Sequence, residues 1–135
     1  MTETAPEVLV ERRGHALWIT LNRPQAFNAL SEDLIEALQA ALEQVAAEDT
    51  VKVVVLAAAG RAFCAGHDLK EMRAVPSQAY YEALFAQCGR MMMALQRLPV
   101  PVIAQVQGIA TAAGCQLVAM CDLAVAASDA RFAVS

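Results

Sequence analysis

The apolar positions change period several times along the chain, and each change predicts an element. Val8 to Glu11 and Leu17 to Leu21 are short β-prone runs with Gly14 between them, a pattern that predicts a hairpin. "NRPQAFNAL" follows as a loop with Pro24 as its breaker. Ser31 stands where a helix N-cap is needed, with Glu32 and Asp33 placed favourably in the first turn. Leu34, Leu38, Leu42 and Val45 then recur at spacings of four and three, predicting an amphipathic helix over Glu32 to Ala47.

"VKVVVLAAAG" is almost continuously apolar, and Val51 to Ala57 within it suits a parallel strand buried on both faces. Gly60 ends it, and a short extended piece at Ala62-Phe63 leads into a loop. Residues 68–77, "DLKEMRAVPS", are polar and irregular. Gln78 to Leu98 is a second long helix whose apolar face carries Tyr81, Leu84, Phe85, Cys88, Met91, Met92 and Leu95. Pro99 and Pro101 stop it; a strand over Val102 to Val106, a turn at Gly108, a helix over Ala112 to Met120 and a strand over Asp122 to Ala127 follow. A last β piece begins near Arg131-Phe132.

Strand, strand, helix therefore recurs about two and a half times within one domain, residues 1–135. Such alternation predicts an α/β fold with largely parallel strands, and right-handed crossovers wind successive units into a spiral.

Composition narrows the function classes. Apolar residues make up 58% of the 135 and charged residues 18%. That is more apolar than an average soluble domain, which implies surface that another protein surface covers. The net charge is −4 and no basic run exceeds Arg12-Arg13, which argues against nucleic-acid binding. The start, "MTETAPEV", has neither a basic n-region nor an apolar h-region, so the expected compartment is the cytoplasm. Val102 to Cys121 reaches membrane-span length, but three glutamines, Gly108, Thr111 and Gly114 interrupt it, and no span is expected. Cysteines 64, 88, 115 and 121 form no CxxC pair, which points away from structural zinc and towards small buried apolar residues with reduced thiols.

Candidate chemistry lies in two small-residue loops, "AFCAGHDL" at 62–69 and "GIATAAGCQL" at 108–117, each placed after an apolar strand. Gly66 permits a positive-φ turn that would leave the N–H of His67 facing outward. If residues 112–114 open a helix, its unpaired first-turn donors and the helix dipole favour negative charge, and "AAG" has no side chain large enough to screen the Ala113 N–H. Two such donors aimed at one point would polarise a carbonyl and stabilise an enolate or tetrahedral oxyanion. The bland reading of each loop is a plain turn.

The segments "LNRPQAFNAL", "GRAFCAGHDLKEM" and "PVPVIAQVQGIATAAGCQLVAMCDLAVAASDARF", with the helix and strand spacing between them, make the chain resemble the crotonase family, the enoyl-CoA hydratase/isomerase superfamily. The resemblance runs from about Val8 to the last residue and covers the first half of a typical member. It implies a crotonase-like spiral of ββα units, without the C-terminal helices that close the pocket and mediate trimer contacts. The missing helices imply an exposed apolar edge. It implies an acyl-CoA substrate, with coenzyme A entering as part of that substrate, no permanently bound cofactor and no metal, and a trimer or hexamer in the full-length form. It further implies that the His67 and Ala113 N–H groups form the oxyanion hole. Ala65, Gly66, His67, Asp68 and Leu69 would line the adenine and pantetheine path. Arg23 and Lys70 would meet the CoA phosphates, against the reading that both are ordinary solvated charges.

Departures from the family pattern leave the reaction open. Where family hydratases carry a glutamate in "GGGCEL", this chain has "TAAGCQL" with Gln116. An amide can position a water or a carbonyl but cannot act as general base at neutral pH. The second expected glutamate would fall just past Phe132, at or beyond the last residue. Ala113 replaces a common glycine and narrows the pocket without removing the donor. His67 is either an acid/base, with an ordinary pKa near 6.5, or a residue of which only the backbone matters. Asp68 is either a base or the acceptor that fixes the turn. Cys64 and Cys115 are small packing residues or, on the sharper reading, nucleophiles. This pattern resembles the divergent branch of enoyl-CoA hydratase domain-containing proteins. Two functions follow: an enoyl-CoA hydratase/isomerase-type lyase, or a catalytically weak CoA-binding half-domain that acts in an assembly.

Overall fold

The computed structural model describes residues 5–135; residues 1–4, part of the N-terminal stretch considered for a leader, lie outside them. The hairpin forms as β1 (Val8–Arg13) and β2 (Ala16–Leu21), paired antiparallel through the Gly14 turn. A 3₁₀ turn (Pro24–Ala26) leads to α1 (Glu32–Ala46), whose cap is the expected Ser31: its hydroxyl accepts from the Leu34 N–H at 3.1 Å. Leu34, Leu38, Leu42 and Val45 are all buried, so the four-and-three spacing became the core face.

Strand β3 (Val53–Ala58) begins two residues later than expected, because the Val51 N–H closes a turn onto the Glu48 carbonyl. It is not buried evenly on both faces: Val54 and Leu56 are sealed, whereas Val53, Val55 and Ala58 are half-buried. After β4 (Ala62–Cys64), the stretch expected to be irregular holds a helix, α2 (Leu69–Ala74). Its N-cap is Asp68, which accepts from the Glu71 N–H at 3.1 Å. Helix α3 (Gln78–Gln96) buries Leu84, Cys88, Met91, Met92 and Leu95 as its periodicity predicts, but Phe85 stays half exposed. The remaining elements are β5 (Val102–Val106), β6 (Ile109–Thr111), α4 (Ala113–Ala119), β7 (Leu123–Ala126) and β8 (Phe132–Ala133). The long apolar stretch thus divides into two strands and a short helix. Among the described residues no helix is long and apolar enough to cross a membrane.

The strands form two sheets rather than one. The larger runs β1-β2-β3-β5-β7 and is parallel apart from the first pair. The smaller runs β4-β6-β8 and is wholly parallel. Each successive pair, β3 and β4, then β5 and β6, then β7 and β8, gives one strand to each sheet. That division is the physical content of the repeating unit. Helices α1 and α3 pack on each other, and Ile19, Leu21, Leu38, Leu56, Phe63 and Met91 are sealed in the core between layers. Truncating one such side chain to alanine would cost about 2–5 kcal/mol.

The excess of apolar residues has a location. Leu123, Val125, Phe132 and Val134, on and beside the last two strands, are 48–89% exposed.

Candidate functional site

Because β4 and β6 are hydrogen-bonded parallel neighbours, with Cys64 opposite Ala110, the loops that leave their C-terminal ends are side by side. Two segments nearly fifty residues apart meet in this way. Gly66, at φ +92°, sits so close to the second loop that an added Cβ would lie 3.2 Å from the Ala112 Cβ and 3.6 Å from the Ala113 nitrogen. Gly114 closes the contact from the other side: a Cβ there would lie 2.1 Å from the Cys64 carbonyl oxygen.

Main-chain pairing orients the first donor. Leu30 N–H donates to the Gly66 carbonyl at 2.7 Å, and Asp68 N–H donates to the Leu30 carbonyl at 3.2 Å. In a parallel bridge of this kind, the central residue of the second segment turns its own N–H and C=O away from the first. His67 is that residue. Among the described residues its N–H has no acceptor, and neither does that of Ala113, the first residue of α4. Ala112, which precedes α4, holds φ 51° and ψ −122° and contributes no side-chain cap; its carbonyl accepts from the Cys115 and Gln116 N–H groups, and the Ala113 N–H is left without a capping acceptor.

Two cavities meet here. One, of about 490 Å³, is lined by His67, Ala112, Ala113, Cys115, Gln116 and Ala119. The other, of about 330 Å³, is lined by Ala65, His67, Leu69, Met72, Phe85 and Thr111. His67 and Ala112 border both. A groove of about 510 Å³ between α1 and α3, lined by Gln39, Arg90, Met93 and Arg97, is larger. It is lined by residues of α1 and α3 and by none of either loop.

The side chains divide by environment. The His67 ring packs edge-on against Phe85, with centroids 5.1 Å apart, and its Nδ1 is sealed without a partner among the described residues. Burial pushes its pKa below the ordinary value near 6.5, so the imidazole is neutral at pH 7. Gln116 is exposed on α4, one turn beyond the bare N–H groups. Cys64 is buried, and burial pushes its thiol up to about 11, which makes it a packing residue rather than a nucleophile at neutral pH. Cys115 is half-buried in the wall of the larger cavity.

Asp68 and Arg23 are engaged with each other. The guanidinium of Arg23 meets the Asp68 carboxylate at 3.2 Å and Glu7 at 3.3 Å, and donates to the Ala29 carbonyl at 2.7 Å. Burial works to raise the Asp68 pKa, but the helix N–H donors and Arg23 outweigh it and hold the carboxyl below its usual value. Asp68 is therefore an ionised cap and brace. The phosphate role expected of Arg23 would require a guanidinium that is here paired inward with two carboxylates. Lys70 stands exposed in the first turn of α2, and Leu69 beside it is 59% exposed.

Sequence reasoning missed three contributors. Asn28, sealed and at φ 54°, donates to the Ala59 and Ala62 carbonyls and accepts from the Arg23 N–H, clasping the strand that carries the first loop. Its signal was its type, since asparagine tolerates left-handed backbone. Phe85 and Met72 line the smaller cavity, where periodicity had assigned Phe85 to the core and polarity had assigned Met72 to a loop.

Comparison with known proteins identifies the family. Residues 11–135 match the family model described as enoyl-CoA hydratase/isomerase. The chain is 48% identical over 115 residues to the mitochondrial enoyl-CoA hydratase domain-containing protein 3 of Xenopus laevis, covering 85% of this chain and 39% of that protein. It is 36% identical to enoyl-CoA hydratase EchA19 of Mycobacterium tuberculosis, covering 98% of this chain and 51% of that one. Among solved structures, an enoyl-CoA hydratase of Mycobacterium smegmatis superposes with a TM-score of 0.95 at 65% identity, over 97% of this chain and 51% of that one. Human enoyl Coenzyme A hydratase domain-containing protein 3 superposes with a TM-score of 0.89 at 39% identity, over 93% and 50%. The chain thus spans two-fifths to half of the length of these relatives. The Xenopus protein is mitochondrial by its name, a comparison that does not favour the cytoplasmic expectation. With the two-sheet spiral, the paired loops and a family match over residues 11–135, the chain belongs to the enoyl-CoA hydratase/isomerase (crotonase) family.

Proposed function

We propose that the loop cluster binds an acyl-CoA thioester and polarises its carbonyl between the His67 and Ala113 N–H groups, in an enoyl-CoA hydratase/isomerase-type reaction. The observation that carries this reading is the pair of free N–H groups on two touching loops, at the junction of two cavities. Donors fixed in the main chain need no reorganisation as negative charge grows on the thioester oxygen, and one such donor is worth about 2.7–4 kcal/mol of barrier. The acyl chain enters the apolar cavity of Phe85, Met72 and Leu69. The pantetheine arm follows Ala65, Gly66 and Asp68, and Lys70, unlike Arg23, is free to meet a phosphate.

A second reading is favoured by one observation: among the residues that α4 gives to the larger cavity, Gln116 carries an amide and none carries a carboxylate. An amide holds a water but does not remove its proton. On this reading the site binds CoA thioesters and enolises or hydrates them weakly. We place the chain in the cytoplasm, a reducing compartment suited to its four free cysteines. We assign the trimer or hexamer to the longer form of the protein.

Titration calorimetry with crotonyl-CoA, together with the absorption spectrum of a conjugated aryl enoyl-CoA, tests the proposal. Binding with a red-shifted thioester band is expected. Absence of binding, or binding with an unshifted band, overturns it. Turnover of crotonyl-CoA then separates the active reading from the weak one.

A further inference from the structure

Helices α1 and α3 lie side by side and run in the same direction. Near the start of α1, Gln87 Nε2 donates to the Glu32 carbonyl at 3.2 Å; further along, Gln39 lines one groove with Arg90, Met93 and Arg97. Both helices turn their sealed residues inward, Leu34, Leu38 and Leu42 on α1 and Leu84, Cys88 and Met91 on α3. The helical period then sets Glu36 and Glu43 on the outer side of α1, and Arg90, Met93 and Arg97 on the outer side of α3.

These outer positions separate by charge. Glu36, Glu43, Arg90 and Arg97 are all exposed, and among the described residues none of them forms an ion pair. Glu43 accepts from the Gln39 amide at 3.0 Å. By contrast Arg12, Arg13 and Arg23 each have a carboxylate partner. Met93, 37% exposed, stands between the two unpaired arginines, so the α3 ridge has an apolar centre and a cation on either side. The groove between the ridges, about 510 Å³, is open at Gly89, where a Cβ would meet nothing within 4 Å.

The two ridges match in step. Glu36 and Glu43 have the same separation in the chain as Arg90 and Arg97, and Gln39 stands in one run where Met93 stands in the other. Each charged pair therefore spans about 10 Å of helix. Because the helices are parallel, a twofold axis along the groove lays the α1 ridge of one copy over the α3 ridge of another at equal height, acid on base. An axis across the groove would lay acid on acid. A contact of the first kind uses one patch twice, and it needs a patch that carries its own complement.

We propose that the outer face of α1 and α3 is an interface between two copies of this chain, related by a twofold axis along the groove. Glu36 and Glu43 of one protomer face Arg90 and Arg97 of its partner, around a centre formed by Met93 of both. The chain's net charge of −4 sets two copies against each other in general, and this face gives the acidic groups of each a place beside cations. The interface is independent of the acyl-CoA reading.

Sedimentation velocity at rising protein concentration tests it. The wild-type chain is expected to dimerise, with Kd weakened about tenfold between roughly 0.05 and 0.5 M salt, as exposed charge pairs are screened. The double variants Arg90→Glu with Arg97→Glu and Glu36→Arg with Glu43→Arg each turn the face to one sign, and each is expected to weaken self-association at least about tenfold. An equimolar mixture of the two, acidic face against basic face, is expected to associate again. That recovery is a readout that misfolding cannot produce, and the wild-type measurements stand even where a variant folds poorly. A wild type that stays monomeric assigns the face to another occupant and overturns the inference. Self-association unchanged in both variants places the contact elsewhere, and a mixture no tighter than either variant alone removes the charge match; either result overturns it too.

Discussion

Gly114 on α4 lies against the carbonyl of Cys64 on β4, so close that a Cβ would stand 2.1 Å from the oxygen. The contact is backbone against backbone, and neither side can yield without moving a strand or a helix. Gly114→Ala is therefore expected to lose about 3 kcal/mol, the upper end of overpacking costs. Gly89, in the middle of α3, has nothing within 4 Å of where a Cβ would stand, and Gly89→Ala is expected to gain about 0.5–1 kcal/mol. Urea midpoints of the two variants check both signs.

Ala112 holds a positive φ that an L-residue rarely adopts. Such strain costs of order 1–3 kcal/mol, whereas the extra unfolded-state freedom of a glycine costs only about 0.4–1. The strain is the larger effect, so Ala112→Gly is expected to stabilise the chain by about 1 kcal/mol. Thermal unfolding decides; a lower Tm contradicts the assignment of strain.

Asp68 carries a depressed pKa in the fold, so its contribution is present above the ordinary carboxylate range and is lost as pH falls through the folded value. Asn is an equally good cap, so Asp68→Asn removes the charge and spares the helix start. The variant is expected to be about 1 kcal/mol less stable at pH 7 and indistinguishable from wild type near pH 2, judged from urea curves at both pH values.

For His67 the direction is the same although the group is a base. Burial lowers its folded pKa, so the unfolded chain takes up the proton first as pH falls below about 6.5, and stability drops with it. Comparing Tm from pH 8 to pH 5 in wild type and His67→Phe should show a slope in the former that the latter lacks. Parallel slopes would mean that the ring titrates alike in both states.

Gln116→Glu places a carboxylate on the wall of the larger cavity. General base catalysis contributes roughly 10²–10⁴-fold, and a single, imperfectly supported carboxylate is expected to raise crotonyl-CoA hydration at least about tenfold. An unchanged rate in a variant that still binds the thioester would show that a missing base is not what limits this site.

Much of the architecture is legible in the residues. The leucine spacing of α1, the serine at its cap and the prolines after α3 each express a local preference that the tertiary structure left intact. The division into two sheets is not legible. β4 and β6 are three residues long, too short for any alternation to declare itself, and their partners are set by packing at long range. Helix α2 was hidden for a different reason: six residues, half of them charged, are too few to show an apolar period, and only the capping geometry of Asp68 reveals it. In the site, both loops and their glycines could be found from the string. That Arg23 turns inward to Asp68 could not, because an ion pair across 45 positions leaves no mark on spacing.

The bridge between Leu30 and His67 divides labour at a single residue. The outward direction of the peptide N–H is dictated by its neighbours in the chain, and any other amino acid except proline would present it equally. What the side group adds is then open to change at no cost to that offer. Position 67 is thus a place where the side group can be exchanged while the pairing that turns its N–H outward stays constant.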